Sequence, residues 1–164
     1  MKRQTTIRAR RADEEFAARS PRDELNNRLF FRLFQAANIY ETQAVRELNI
    51  SAVQGAVLGA LSRDVEQGMS FSALYTYLAV SRQNLDAVLK RLEQADYVER
   101  VEGVIDRRVK IVRLTPQGVE AWWDLQRRTI EFFRQGTDGL STAEVSACVE
   151  TLAGIGRALK AAKL

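Results

Sequence analysis

The 164-residue sequence contains no histidine and one cysteine, and these scarcities exclude most catalytic and redox chemistry. Histidine is the commonest general base and metal ligand, and the sequence also lacks paired cysteines, a glycine-rich phosphate loop and a nucleophile elbow. We therefore expect no enzyme activity, no metal and no cofactor. The lone thiol, Cys148, cannot form an internal disulfide and fits a cytoplasmic protein.

Long apolar runs are also missing, so we expect no membrane span, and no apolar segment follows the basic N-terminus as in a secretory signal. Residues 1–22 carry seven basic and three acidic side chains, and this excess of four equals the net charge of the whole chain, +4. Residues 1–22 are therefore predicted to be a basic, mobile arm. The rest of the chain must bind any polyanion through individually placed contacts.

The most informative segment is residues 81–115, which predicts a helix followed by two strands. Ser81 is a suitable N-cap, and apolar residues then follow at helical spacing, at Leu85, Val88, Leu89 and Leu92. Arg82, Gln83 and Asn84 occupy the first turn, and such side chains match the guanine and adenine edges of the major groove. Residues 97–101 and 109–114 alternate with a period of two around a loop that ends in arginines. Together they predict a winged helix that binds DNA.

Helix signals flank this segment on both sides. A long apolar-periodic stretch follows Pro21, Ser70 opens a short helix over Phe71–Leu78, and Thr115 with Pro116 starts another. The predicted fold is mainly α with a small β-hairpin wing: a winged helix-turn-helix head flanked by a helical dimerisation platform. We assign 50–115 to the DNA-binding domain and 23–49 with 116–164 to the dimerisation region.

This arrangement resembles the MarR family of bacterial transcription regulators over nearly all of residues 23–164. The strongest match is the segment from Asp106 to Gly118, which is similar to the family's wing motif: D-x-R, three spacer residues, an apolar residue, x-L-T and then the start of the next helix. The resemblance implies a dimeric regulator that binds a pseudo-palindromic site on double-stranded DNA. It also implies release by a small effector and, most often, repression of an adjacent operon.

The family's wing arginine enters the minor groove and is held by the neighbouring aspartate. By position, these roles fall to Arg108 and Asp106, with Arg107 as a phosphate contact or a substitute. The residues predicted to bind DNA are Ser70, Ser72, Ser81, Arg82, Gln83, Asn84, Lys90, Asp106, Arg107 and Arg108.

The chain departs from the family pattern at two positions. Asp96 stands where glycine usually forms a left-handed C-cap, and aspartate tolerates that conformation better than most residues. Gly55 replaces a large residue in the helix that lines the family's usual ligand cavity, and so leaves room there. We expect a small aromatic acid, such as a phenolic acid, or an acyl-coenzyme A thioester as effector. The predicted ligand residues are Arg19, Arg22, Arg32, Phe34, Asn38, Gly55 and Trp122.

Several alternatives stay open at this point. A winged helix can also serve as a protein-interaction module, although its wing would then usually be more apolar. Cys148 could act as a redox sensor, but its place beside an apolar stripe favours a buried, inert thiol. The cluster Phe30, Phe31 and Phe34 is expected to be core rather than a cofactor site.

Overall fold

The computed structural model describes residues 20–103 and 105–162 and divides the chain into two compact units, Met1–Ala52 and Val53–Leu164. The described residues form six helices and one three-stranded sheet. The predicted class, mainly helical with a small β wing, is therefore confirmed. In these ranges, no helix combines the length and the apolar character that a membrane crossing requires.

The described part of the first unit is dominated by helix α1, Pro21–Leu48. Ser20 is its N-cap: the Ser20 hydroxyl accepts from the Asp23 N–H, and the Asp23 carboxylate accepts from the Ser20 N–H at 3.2 Å. This reciprocal pair satisfies two amide groups that a helix start leaves open. The helix ends where Asn49 takes the left-handed conformation, at φ +56°.

The phenylalanines of α1 do not form a core within this chain. Phe30, Phe31 and Phe34 are 43%, 57% and 64% exposed, so the prediction that they are buried was wrong for the single chain. Their spacing in sequence did indicate an apolar helix face. Periodicity identifies such a face but does not reveal whether the same chain covers it.

The second unit holds the remaining elements. Its helices are α2 (Ala52–Leu61, which begins at the boundary), α3 (Phe71–Leu78), α4 (Arg82–Gln94), α5 (Pro116–Gly136) and α6 (Thr142–Ala161). Its strands are β1 (Met69–Ser70), β2 (Val98–Glu102) and β3 (Lys110–Leu114). The sequence analysis missed β1, because two residues are too short for a period of two to be visible.

The core of this unit is built on the predicted apolar face of α4. Leu85, Leu89 and Leu92 are at most 1% exposed, and Val112 of β3 is completely buried. Fully burying one such side chain stabilises the fold by about 1.5–3 kcal/mol. The buried stripe fixes which face of α4 points away from the core, and that face carries the polar residues.

The wing is an antiparallel sheet with strand order β1-β3-β2. Glu99 lies opposite Arg113, and Glu102 lies opposite Lys110, so unlike charges face each other across the hairpin. Their ion pairs measure 2.8 Å between Glu99 Oε1 and Arg113 Nε, and 3.3 Å between Glu102 Oε1 and Lys110 Nζ. Each such cross-strand pair contributes modestly to sheet stability.

The start of α5 lies against the short segment that joins α4 to β2. Asp96 has φ +57°, as predicted for the residue that replaces the family's glycine. Its carbonyl accepts from the Thr115 hydroxyl, and the Thr115 N–H donates to the Tyr97 carbonyl at 3.1 Å. A Cβ atom on Gly118 would lie 1.8 Å from that same Tyr97 oxygen. Only glycine therefore allows α5 to begin this close to β2.

Helix α6 begins with a second capping box and buries none of its residues. The Ser141 hydroxyl accepts from the Glu144 N–H, and the Glu144 carboxylate accepts from the Ser141 N–H at 2.8 Å. Cys148 is exposed, so the expectation of a buried thiol was wrong. The reason is that the apolar stripe beside it, which predicted burial, is itself uncovered in the single chain.

Candidate nucleic-acid interface

Helices α3 and α4 form a helix-turn-helix through a three-residue turn. Ala79 adopts the left-handed conformation at φ +55°, and its N–H donates to the Thr76 carbonyl at 3.3 Å. Ser81 then caps α4, because its hydroxyl accepts from the Asn84 N–H at 3.2 Å. Ser70 caps α3 in the same way through the Ala73 N–H at 3.1 Å.

An open groove of about 650 Å³ runs between the start of α4, the start of α3 and the wing. It brings together four residues that were predicted to bind DNA from separate parts of the sequence: Ser72 of α3, Arg82 and Gln83 at the start of α4, and Arg108 of the wing. The groove is lined by nine residues: Phe71, Ser72, Arg82, Gln83, Asp86, Arg100, Arg108, Val109 and Lys110. Four of these nine side chains are cationic and one is anionic, so the groove favours a polyanion.

Arg82 is oriented by an aromatic neighbour from α3. Its guanidinium carbon lies 5.0 Å from the centre of the Tyr75 ring, and Nη2 donates to the Tyr75 hydroxyl at 3.3 Å. The pKa of Tyr75 is lowered, because the hydrogen bond and the positive charge of Arg82 both favour the phenolate. Tyr75 thus limits the directions in which the Arg82 side chain can point.

The wing tip is held by its own backbone. Asp106 Oδ1 accepts from the Arg108 N–H at 2.8 Å, and the Asp106 carbonyl accepts from the Val109 N–H at 3.0 Å. The Gly103 N–H donates to the Val109 carbonyl at 2.9 Å and closes the loop. Asp106 therefore positions Arg108 through the main chain, while the side chains of Arg107 and Arg108 remain exposed.

Three charged residues of the groove were missed by the sequence analysis: Asp86 of α4, Arg100 of β2 and Lys110 of β3. Arg100 Nη1 lies 2.8 Å from Asp86 Oδ1, and Lys90 Nζ lies 2.9 Å from Asp86 Oδ2. Both bonds lower the pKa of Asp86, and the bond from Lys90 has a larger effect than the bond from Arg100. Arg100 Nε also lies 3.0 Å from Glu93 Oε1, as an ion pair rather than a directed hydrogen bond.

The other predicted DNA-binding residues surround the groove without lining it. Ser70 and Ser81 use their hydroxyl oxygens as caps, and Lys90 is paired with Asp86. Each capping hydroxyl still carries a proton that can be donated to a phosphate. These residues, together with Asn84, remain predicted DNA contacts.

The predicted ligand residues belong to both units, and the groove is lined by none of them. Arg19 lies outside the described residues, and Arg22 and Phe34 are exposed. Arg32 donates to Gln35 at 2.9 Å, and the Asn38 amide donates to the Phe34 carbonyl at 3.0 Å.

Within the second unit, Trp122 packs against a glycine other than the expected one. A Cβ on Gly59 would lie 2.9 Å from the Trp122 ring, whereas a Cβ on Gly55 would meet Leu125 at an ordinary 3.8 Å. Across residues 20–103 and 105–162, no cluster of acidic and thiol side chains is arranged to hold a metal ion.

Comparisons with known proteins agree with this geometry. The MarR family model matches residues 48–108. BadR of Rhodopseudomonas palustris, described as a transcriptional activatory protein, is 47% identical over 103 residues, which are 60% of this chain and 59% of BadR. The chain therefore matches about three-fifths of that relative's length.

Solved structures share the fold. A MarR variant from E. coli complexed with operator DNA has a TM-score of 0.68 at 22% identity, over 84% of this chain and 99% of that one. CouR from Rhodococcus jostii bound to p-coumaroyl-CoA has a TM-score of 0.66 at 18% identity, over 77% and 88%.

A helix-turn-helix followed by a basic hairpin defines a winged-helix protein. The MarR family model matches this winged helix over residues 48–108, so the resemblance seen in the sequence is confirmed for that part of the chain.

Proposed function

We propose that this protein is a DNA-binding transcription regulator. The observation that carries the proposal is the groove, which gathers Arg82, Gln83 and Arg108 from two elements onto one face. In the proposed complex the start of α4 enters the major groove and the wing reaches the neighbouring minor groove. Arginine and glutamine then hydrogen-bond to base edges, and the wing arginine favours a narrow, A·T-rich minor groove.

The direct test is the affinity of an Arg108→Ala variant for its DNA site. Arg108 is exposed, so its loss should leave the fold intact and weaken binding by about tenfold or more. Fluorescence anisotropy with a labelled duplex, selected from a randomised pool, measures the change.

Arg127→Ala is the matched control, because Arg127 is an exposed arginine on α5 that does not line the groove. Equal effects of the two substitutions would reject the assignment of Arg108. A wild-type protein that binds no DNA would instead favour the protein-interaction alternative.

We further propose that the protein acts as a homodimer on a pseudo-palindromic site. Apolar side chains on α1 and α6, including Phe34, Val149 and Leu152, are exposed in the single chain and would be covered by a partner copy. Two DNA-binding domains related by a two-fold axis fit half-sites about 34–36 Å apart. Such a protein acts on chromosomal DNA, which in bacteria places it in the cytoplasm.

The direction of regulation remains a prediction. Repression is the commoner outcome in the resembling family, whereas the relative BadR is described as an activatory protein. A reporter gene behind the selected site distinguishes the two, because a repressor lowers and an activator raises its expression.

The effector that we propose is a small aromatic acid or its coenzyme A thioester. Support comes from the exposed phenylalanines and arginines of α1 and from the fold shared with CouR, a protein described as bound to p-coumaroyl-CoA. Such a ligand would favour a spacing between the two DNA-binding domains that no longer fits two successive major grooves. A coupling free energy of about 1–3 kcal/mol between ligand and DNA suffices to release the protein from DNA.

A thermal-shift assay with p-coumaric acid and p-coumaroyl-CoA tests this effector class, with free coenzyme A as control. Stabilisation by an aromatic probe but not by free coenzyme A, together with release from DNA, is the expected result. If neither aromatic probe stabilises the protein, this effector class is wrong.

A further inference from the structure

Asp86 is an acidic residue on a surface that otherwise favours a polyanion. It lines the groove with Arg82 and Gln83, and an uncompensated carboxylate there would repel DNA phosphates. Resting on the proposed DNA-binding function, we propose that Asp86 determines base specificity by accepting a hydrogen bond from cytosine or adenine. Arg100 is the positioning residue that holds its carboxylate.

The position of Asp86 on α4 suits this role. Arg82, Asp86 and Lys90 are spaced by four residues, so they form one stripe along the helix. The buried leucines occupy the neighbouring face of α4, so this stripe lies on the flank of the helix, where Asp86 contacts Arg100 of β2 and lines the groove. When the start of α4 enters the major groove, Asp86 follows Arg82 by one helical turn.

Asp86 is held before any DNA arrives. Arg100 Nη1 binds Oδ1 at 2.8 Å, and Lys90 Nζ binds Oδ2 at 2.9 Å, so both carboxylate oxygens are fixed. A carboxylate oxygen can accept more than one hydrogen bond, so each still has capacity for a base. Arg100 is itself anchored by Glu93, at 3.0 Å, and its guanidinium lies 6.0 Å from the Phe71 ring centre.

The two cations also make the negative charge tolerable beside DNA. They lower the pKa of Asp86, so the group is an ionised acceptor at neutral pH and has no proton to donate. In the major groove the hydrogen-bond donors are the N4 amino group of cytosine and the N6 amino group of adenine. Guanine offers acceptors at O6 and N7, and thymine offers an acceptor at O4. An ionised Asp86 therefore selects for cytosine or adenine at one position in each half-site.

Selection from a randomised duplex pool by wild type and by Asp86→Asn tests the assignment. Asparagine keeps the shape, but its amide can also donate to guanine or thymine. We expect a preference of about fivefold for cytosine or adenine at one position per half-site to disappear, while all other positions keep theirs. Glu99→Gln is the matched control, because Glu99 is also paired with an arginine but does not line the groove. Its base preferences should equal those of wild type.

Other outcomes overturn the proposal. If Asp86→Asn binds every sequence more tightly with unchanged preferences, Asp86 is only a repelling charge. If Asp86→Asn loses DNA binding altogether, its role is structural, since removing a negative charge should raise affinity. If the wild-type protein shows no base preference at any position, the proposed function itself is wrong.

The role of Arg100 is tested by substitution in two backgrounds. Arg100→Met should relax the same position as Asp86→Asn, Arg100→Lys should partly restore it, and Arg100→Met should change no preference when Asp86 is already Asn. A phosphate contact behaves differently: its loss would weaken binding equally in both backgrounds and reduce the salt dependence by about one ion. That result would remove Arg100 from the proposal.

Discussion

Two glycines of α5 have opposite surroundings, and the contrast tests the close crossing of α5 over β2. At Gly118 an added Cβ would lie 1.8 Å from the Tyr97 carbonyl oxygen, a backbone atom that cannot move without β2. We expect Gly118→Ala to lower the free energy of unfolding by about 1–3 kcal/mol, as overpacked sites do. Urea denaturation followed by circular dichroism measures the loss.

Gly136→Ala is the control for that prediction. No atom lies within 4 Å of the Cβ that it would add, so alanine should be neutral or stabilise α5 by up to about 1 kcal/mol. If both substitutions destabilise the protein to the same extent, the close approach at Tyr97 is not the cause.

Some functional residues were visible in the sequence and others were not. Arg82, Gln83 and Arg108 lie within local patterns, a capped helix start and a wing motif, that are complete in short windows. Asp86 and Arg100 are 14 residues apart and acquire their role only when β2 packs beside α4. A charge pair at that distance has no periodic signal, so only the tertiary structure joins them.

At the scale of elements, helix boundaries were predicted closely because capping residues mark them. Ser70, Ser81 and Thr115 all serve as N-caps in the structure, as the sequence indicated. Ser20 was missed as the cap of α1, although Pro21 at the first helical position was the available signal. Burial was predicted less well, because an apolar stripe does not state which molecule covers it.

Helix α6 provides the element-scale test of assembly. It buries none of its residues, and its apolar side chains Val149, Leu152 and Leu159 are exposed in the single chain, so we infer that a partner copy covers this stripe. Leu152→Glu places a charge in that stripe, where Leu152 is 44% exposed. We expect the variant to dissociate into monomers in size-exclusion chromatography with light scattering.

Ala147→Glu is its matched control, because Ala147 lies on the opposite side of α6 and is exposed. This variant should remain dimeric. A Leu152→Glu protein that is as dimeric as wild type would show that α6 takes no part in the interface.

For the whole molecule, charge is divided unevenly along the chain. The excess of four basic side chains in residues 1–22 equals the net charge, so residues 23–164 are neutral overall. We expect deletion of residues 1–19 to weaken binding to DNA of any sequence and to flatten its salt dependence. Each lost phosphate contact should reduce the slope of log K against log salt by about 0.9.

The preferred bases should survive that deletion, because the groove residues are untouched. Anisotropy titrations at several salt concentrations, with selected and scrambled duplexes, separate the two effects. An unchanged salt slope would exclude residues 1–19 from contact with DNA.

The facing charges of the hairpin have a consequence for how the wing is assembled. A slip of β2 against β3 by two residues would place Glu99 opposite Ile111 in one direction or Thr115 in the other, and would break both ion pairs of the observed alignment. The two ion pairs therefore stabilise the observed register of β2 and β3 relative to registers that are shifted by two residues. Because the alignment is fixed, the number of residues in the loop is fixed as well. The distance that Arg108 can reach from the sheet is therefore determined by the pairing of β2 with β3.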